Sequence, residues 1–178
     1  MLVDIDGVVS LFGGLDAGGA STSHPPAGGA PAAPGAIEGS FHAIDGIPHF
    51  LSSTAASHLL RLSRSFELVW ASGWEEKANE YLPHLLGLPA ELPFIPFSQR
   101  TAVGARAPHA HWKLEAITAY VGQLALAWVD DAFNAACHRW ADARGAPTLL
   151  VSTTPEHGLT AREARTLLRW ARELGARR

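Results

Sequence analysis

Asp4 and Asp6 stand one residue apart in LVDIDGVV, within an apolar run and directly before Gly7. Asp130 and Asp131 close a second apolar run, LALAWVDD. Ser72 closes a third, FELVWAS, and Lys113 opens the periodic segment HWKLEAITAYVGQ. Carboxylates gathered in a partly desolvated place repel one another unless something compensates their charge. Hard oxygen donors suit a hard cation, and Mg²⁺ needs only one or two carboxylates, with water and substrate phosphate completing its shell. A cation of that kind serves phosphoryl transfer, where catalysis is largely positioning and charge neutralisation. A carboxylate can attack phosphorus and carry the group as an aspartyl-phosphate. A second carboxyl two residues on can protonate the leaving oxygen and then activate water. In that chemistry Ser72 would donate a hydrogen bond to the phosphoryl oxygens, and Lys113 would offset charge on the phosphoaspartate.

These groups meet only if the chain brings several strand ends together. STAASHLLRLSRS reads as a helix capped by Ser53 or Thr54, with Leu59, Leu60 and Leu62 inward. Glu67 to Ala71 reads as a buried strand, and GWEEKANEYLPHLLGL as a helix kinked or ended near Pro83. LPFIPF is a short strand weakened by its prolines. A helix starts near Lys113, LALAWVDD is a strand, and AFNAACHRWADARG is a helix closed by Gly145. PTLLVS is a further strand, and Thr160 with Glu163 forms a capping box for a last helix, Thr160 to Leu174. Continuous apolar strands alternating with helices predict an α/β fold. The expected form is a Rossmann-like three-layer α/β/α sandwich around a mostly parallel sheet of about five strands. Ligands of such sheets bind beyond the carboxyl ends of the strands. Three strands would deliver Asp4 and Asp6, Ser72, and Asp130 with Asp131 to that one edge.

With 178 residues the chain reads as a single domain, 1–178, large enough to bury a core without staples. Cys137 is the only cysteine, which excludes an intrachain disulfide and argues against a cysteine-based zinc site. A formal charge of -3 provides no general basic field for nucleic acid or an anionic membrane. LVDIDG follows Met1 with neither a basic leader nor a long apolar span, so a cytoplasmic protein with no membrane partner is expected. Residues 12–39 are a Gly/Ala/Pro-rich stretch that reads as a flexible insert. Asp45-Gly46 marks a hairpin turn, so residues 40–52 read as a hairpin flap, a minimal cap. The only lysines are Lys77 and Lys113 in an otherwise arginine-based set of cations, so a lysine at a strand edge stands out.

In their order, DIDGVV, VWAS, Lys113 at a helix start and WVDD resemble the four motifs of the haloacid dehalogenase (HAD) superfamily. The likeness runs from Leu2 to about Val151. It implies a HAD-like fold with Asp4 as nucleophile and Asp6 as general acid/base. It implies Mg²⁺ as cofactor, bound by Asp4, the Asp6 carbonyl, Asp130 directly, and Asp131 directly or through water. It implies Ser72 and Lys113 as phosphate-binding residues. An acid at Asp6 is similar to the phosphatase and phosphotransferase branches rather than to those that cleave carbon–halogen bonds. The stretches between motifs hold no large cap. FELVWAS-GWEEKAN and HWK also resemble the small capless HAD domain of bacterial RNA-repair proteins, which implies a nucleotide or nucleic-acid-end phosphate as substrate.

Plainer readings stand beside these. Acids at strand ends also cap turns and helices, Ser72 also reads as a helix N-cap, and lysines mostly lie on solvated faces. Gly73, Trp74, His111 and Trp112 neighbour the motif residues and are candidate substrate contacts, Trp74 and Trp112 either stacking on a base or sugar or packing at the sheet edge. His109 and His111 form an HxH pair without a third ligand, and Arg100 and Arg106 precede the third motif. Three functions remain open: a Mg²⁺-dependent phosphomonoesterase, a phosphate- or nucleotide-binding module with little turnover, and an interaction protein that recruits a partner through residues 12–39.

Overall fold

The computed structural model describes residues 1–12, 37–97 and 109–176, with the side chain of His111 left out. Most of the Gly/Ala/Pro-rich stretch, Arg100 and Arg106 lie outside the described residues. The fold is α/β. Four parallel strands form the main sheet in the order β5-β1-β6-β7, comprising Val69–Trp70, Leu2–Val3, Leu126–Asp130 and Thr148–Ser152. About five strands are expected from the sequence. The fifth candidate, LPFIPF, contributes a single parallel bridge, Trp70 to Phe94, beside β5. Pro93 and Pro96 offer no N–H to a ladder, which keeps the pairing to one bridge.

Strand residues alternate between two apolar clusters, as a period of two requires. Val3, Trp70, Ala127 and Val129 join one cluster with Leu59 and Leu62 of α1 (Ser53–Leu62), Leu82 of α2 (Lys77–Leu86) and Leu167 of α5 (Ala161–Gly175). Leu2, Val69, Leu126 and Trp128 join the other, with Ile117 of α3 (Leu114–Val121) and Cys137 of α4 (Ala135–Ala143). The sheet is therefore apolar on both faces. That explains why its strands read as continuous apolar runs.

Several element ends differ from the sequence reading. The cap of α1 is Ser52, whose Oγ accepts the Ala55 N–H at 3.1 Å. Thr54 is engaged elsewhere, accepting the Glu38 N–H at 2.9 Å. Leu60 is exposed while Leu59 and Leu62 are buried. Helix α2 runs through Pro83 to Leu86 and ends on Gly87 in the left-handed region. Helix α4 ends at Arg144 in extended backbone, and the Arg144 guanidinium binds the carbonyls of Gly122 and Leu124. The capping box of Thr160 and Glu163 forms as the sequence predicts.

A second sheet follows Asp6 at once. Val9 and Ser10 both donate to the Ile5 carbonyl, at 2.8 and 2.9 Å, so the chain turns sharply into β2 (Ser10–Leu11). Strand β2 pairs with β4 (Ile47–Ser52), which pairs with β3 (Gly39–Ile44), all antiparallel. The β3–β4 connection is the two-residue turn Asp45-Gly46, with φ of +51° and +78°. Both central residues of a type I′ turn need positive φ, and Asp-Gly supplies it at low cost. The Asp45 carboxylate accepts hydrogen bonds from Lys77 Nζ and from the Tyr81 hydroxyl, tying the hairpin tip to α2. Among the described residues no helix is long and apolar enough to cross a membrane.

Candidate active site

Strand β1 is two residues long and central, so the residue that follows it emerges between two neighbours. That residue is Asp4. Its N–H donates to the Val129 carbonyl at 3.0 Å, and its Oδ1 accepts the Ile5 N–H at 2.9 Å. Asp130 is the last residue of β6 and is fully buried, with Oδ1 accepting the Ala132 N–H at 3.0 Å. Between these two carboxylates lies the ammonium of Lys113, which ends a single 3-10 turn, Ala110–Lys113, ahead of α3. Lys113 Nζ is 2.8 Å from Asp4 Oδ2 and 2.7 Å from Asp130 Oδ2. At 3% exposure Lys113 does not lie on a solvated helix face. A lysine so buried needs its charge matched, and two carboxylates match it.

Asp131 continues from Asp130 and packs against Gly7. A Cβ built on Gly7 would lie 2.3 Å from Asp131 Oδ2, and Gly7 has φ +71°. Only glycine satisfies both the backbone and the contact. The Gly7 carbonyl is held by the Thr153 hydroxyl at 2.8 Å, which joins the end of β7 to the same loop. Ligand oxygens of Asp4, Asp130 and Asp131 all lie within 4.8 Å of one another. The Asp6 carboxylate is not in this group; its Oδ2 accepts the indole N–H of Trp74 at 3.0 Å.

Ser72 is buried at the end of β5. It does not cap α2, which starts at Lys77 with Glu76 at the cap position. Instead its carbonyl accepts the Glu75 N–H at 3.1 Å, making a tight turn through Gly73 and Trp74. A cavity of about 230 Å³ is lined by Asp4, Asp6, Ser72, Lys113 and Asp130, with Gly73 and Trp112 beside them. A Cβ on Gly73 would meet nothing, so the backbone there borders open space. His109 lines the same cavity, while the side chain of His111 lies outside the described residues. A larger cavity of about 910 Å³, lined by Met1, Leu2, Leu126 and Trp170, opens at the other ends of the strands. It gathers no cluster of carboxylates and lies away from the groups above.

Compared with protein-family models, with curated proteins and with solved structures, the chain shows no match. The chemistry of the cavity is therefore argued from its own groups.

Among the described residues one lysine, Lys113, faces four acids, and the electrostatics follow from that. Burial works against the Lys113 ammonium, but Asp4 and Asp130 together hold it above the usual lysine value. The carboxylates outnumber it, so the excess falls on them. Burial, then the Asp4 charge, pushes Asp130 up to about 7. The same two causes push Asp131 up to about 6 and raise Asp6. Opposite signs of stabilisation for the lysine and for its partner Asp130 are thus consistent: the lysine is over-matched and the acids are under-matched. Asp130 and Asp131 resist ionisation here, and their oxygens, with one of Asp4, lie in reach of one point, which is what a hard divalent cation would relieve.

The sequence singles out Asp4, Asp6, Ser72, Lys113, Asp130 and Asp131, and all six lie around this one edge. It does not single out His49 or Thr153. His49 comes from the hairpin and meets the Trp74 ring edge-on, with centroids 4.9 Å apart. No spacing in the chain signals that contact, because it is made across two sheets.

Proposed function

We propose that this chain is a Mg²⁺-dependent phosphomonoester hydrolase of the HAD type, acting through an aspartyl-phosphate on Asp4. The observation that carries this reading is the buried Asp4–Lys113–Asp130 triad at the ends of β1 and β6, with Asp131 in ligand range. The two apolar clusters on either side of the parallel sheet support the three-layer, Rossmann-like arrangement of that family.

Asp4, Asp130 and Asp131 would hold the cation, with the Asp6 carbonyl as the family resemblance implies. When bound, Mg²⁺ would supply charge neutralisation for the phosphoryl oxygens. The remaining work falls to the chain. A carboxylate oxygen of Asp4 attacks phosphorus as the bond to the leaving oxygen breaks. Asp6, whose carboxyl burial and the Asp4 charge shift upward, gives its proton to that oxygen. Asp6 then takes a proton from water as the water attacks phosphorus. The Asp4–phosphorus bond breaks, releasing phosphate and restoring both acids. Lys113 stays charged throughout and offsets the negative charge gathered on Asp4. Ser72 lines the cavity where a phosphoryl oxygen would sit.

Among the described residues the β3–β4 hairpin, which reaches Trp74 through His49, is read as a minimal flap. So small a cover leaves room for a substrate with bulk of its own, such as a nucleotide or a phosphorylated nucleic-acid end. A small phosphate ester is the alternative. A binding module without turnover would not need the second acid, so the presence of Asp6 favours the enzyme.

The test is hydrolysis of p-nitrophenyl phosphate with and without Mg²⁺. Turnover is expected with the ion and is expected to fall by roughly a hundredfold or more when it is chelated. Absence of turnover, with phosphate still bound, would instead support the binding module. A screen across nucleotides, sugar phosphates and phosphorylated RNA ends then assigns the substrate.

A further inference from the structure

Trp74 neighbours the site and has no part in the reaction above. Its indole Nε1–H donates to Asp6 Oδ2 at 3.0 Å, across 68 positions of sequence. An indole N–H is a donor only, so Oδ2 is engaged as an acceptor and Oδ1 is the oxygen left to exchange a proton with the leaving group. The contact therefore selects which oxygen of Asp6 delivers the proton and in which direction it points.

Two supports hold the indole there. The first is the turn that carries it. Glu75 donates its N–H to the Ser72 carbonyl at 3.1 Å and adopts φ +48°, a left-handed conformation that costs a non-glycine residue. The Glu75 carboxylate answers by accepting the Phe97 N–H at 2.6 Å. The second support is His49 on β4. Its ring meets the indole edge-on at 4.9 Å and 73°, and its Nδ1 lies 2.9 Å from Ser10 Oγ. Ser10 belongs to the turn that leaves Asp6, because the Gly7 N–H donates to its carbonyl at 2.8 Å. The contacts close a ring: Asp6, Ser10, His49, Trp74 and back to Asp6.

We propose that Trp74 is a positioning residue that fixes the Asp6 carboxyl for proton delivery to the leaving oxygen, and that the hairpin, through His49, keeps the indole in register. The proposal rests on the phosphohydrolase reading. In the step it serves, the O–H bond at Asp6 Oδ1 breaks as the leaving oxygen gains the proton. Together with that transfer, the phosphorus–oxygen bond breaks and the Asp4–phosphorus bond forms.

Leaving groups tell a positioned acid from a general loss of structure. p-Nitrophenolate departs without a proton, whereas an alkoxide needs one. The ratio kcat/KM reads the steps up to departure of the leaving group. For Trp74→Phe, kcat/KM on an unactivated alkyl phosphate is expected to fall by roughly 10- to 100-fold. On p-nitrophenyl phosphate the fall is expected to be only about two- to threefold. In an Asp6→Asn background, Trp74→Phe should have no further effect, since the two act as one unit. A spectroscopic readout needs no Trp74 variant. In protein labelled with ¹⁵N at its six tryptophans, one indole resonance is expected to move in Asp6→Asn and the other five to stay. Equal losses on both esters, multiplied effects in the double variant, or an unmoved set of indole resonances would each overturn the proposal. Wild-type protein that turns over neither ester with Mg²⁺ overturns the phosphohydrolase reading itself. Turnover with unmoved resonances overturns only the role of Trp74.

Discussion

Asp4→Asn is expected to lower turnover by roughly ten-thousand-fold or more while the protein stays folded. An amide oxygen is a poor nucleophile toward phosphorus, and an acyl phosphate cannot form on it. The replacement is nearly isosteric, so the Ile5 N–H and Lys113 keep an acceptor at the same place. It also removes one of the four neighbouring acids that, among the described residues, share the one buried lysine. The metal-free variant should therefore melt no lower than the wild type. Mg²⁺ affinity should weaken without vanishing, because Asp130 and Asp131 remain. Single-turnover kinetics, melting temperature and calorimetric Mg²⁺ titration measure the three quantities. Activity within tenfold of wild type would place the nucleophile elsewhere, and an unfolded variant would mean that Asp4 is a structural acid.

Lys113→Met should act mainly on stability, and its effect should depend on pH and on metal. The methionine fills similar space but leaves Asp4 and Asp130 facing each other across a buried gap. Removing one partner of a buried ion pair costs about 3–5 kcal/mol. The sign with pH follows from the acids. In the folded wild type, Asp130 is raised to about 7 and Asp131 to about 6. Unfolded, such acids titrate near 4. Between about pH 4 and pH 7 the folded state therefore binds more protons than the unfolded state. Stability falls as pH rises through that window. Mg²⁺ bound at the ionised site would oppose the fall, so its stabilising effect should grow from pH 5 to pH 8. In Lys113→Met the fall should be steeper, because the ammonium between Asp4 and Asp130 is gone. Denaturant midpoints at pH 5 and pH 8, each with and without Mg²⁺, give the comparison. A midpoint insensitive to Mg²⁺ at pH 8 in the wild type would sink the metal assignment, and a pH-independent cost for Lys113→Met would sink the charge argument.

The candidate site edge was legible because its groups sit at the ends of apolar runs. A parallel sheet forces such ends to one side, so Asp4, Ser72 and Asp130 follow from strand order alone. Lys113 was legible through scarcity, as one of two lysines among many arginines. The other, Lys77, ties the hairpin tip to α2, a role the local sequence does not signal. The Asp45-Gly46 turn was legible because a type I′ geometry demands positive φ at both positions. What escaped the sequence is what depends on side chains meeting across elements. Ser52 rather than Ser53 caps α1 because Thr54 is drawn to Glu38. LPFIPF keeps one bridge because its prolines withhold donors. Trp74 reads from the chain as a stacking surface for substrate or as sheet-edge packing, yet its N–H faces Asp6 and its ring faces His49. Burial chooses among such options only once the two sheets are juxtaposed.

The two-residue central strand has a kinetic consequence. Leu2 and Val3 pair with Val69 and Trp70 on one side and with Trp128 and Val129 on the other. Neither partner is local in sequence, and so short a strand gains few hydrogen bonds to offset the entropy of closing those loops. The strand that carries Asp4 is therefore expected to dock late on the β6–β7 pair, with β5 following it, and contacts of such long range slow folding. Recovery of hydrolysis after dilution from denaturant is expected to follow the slowest refolding phase, behind the return of helical signal. Helical signal and hydrolysis regained in one phase would show that β1 is instead part of the folding nucleus.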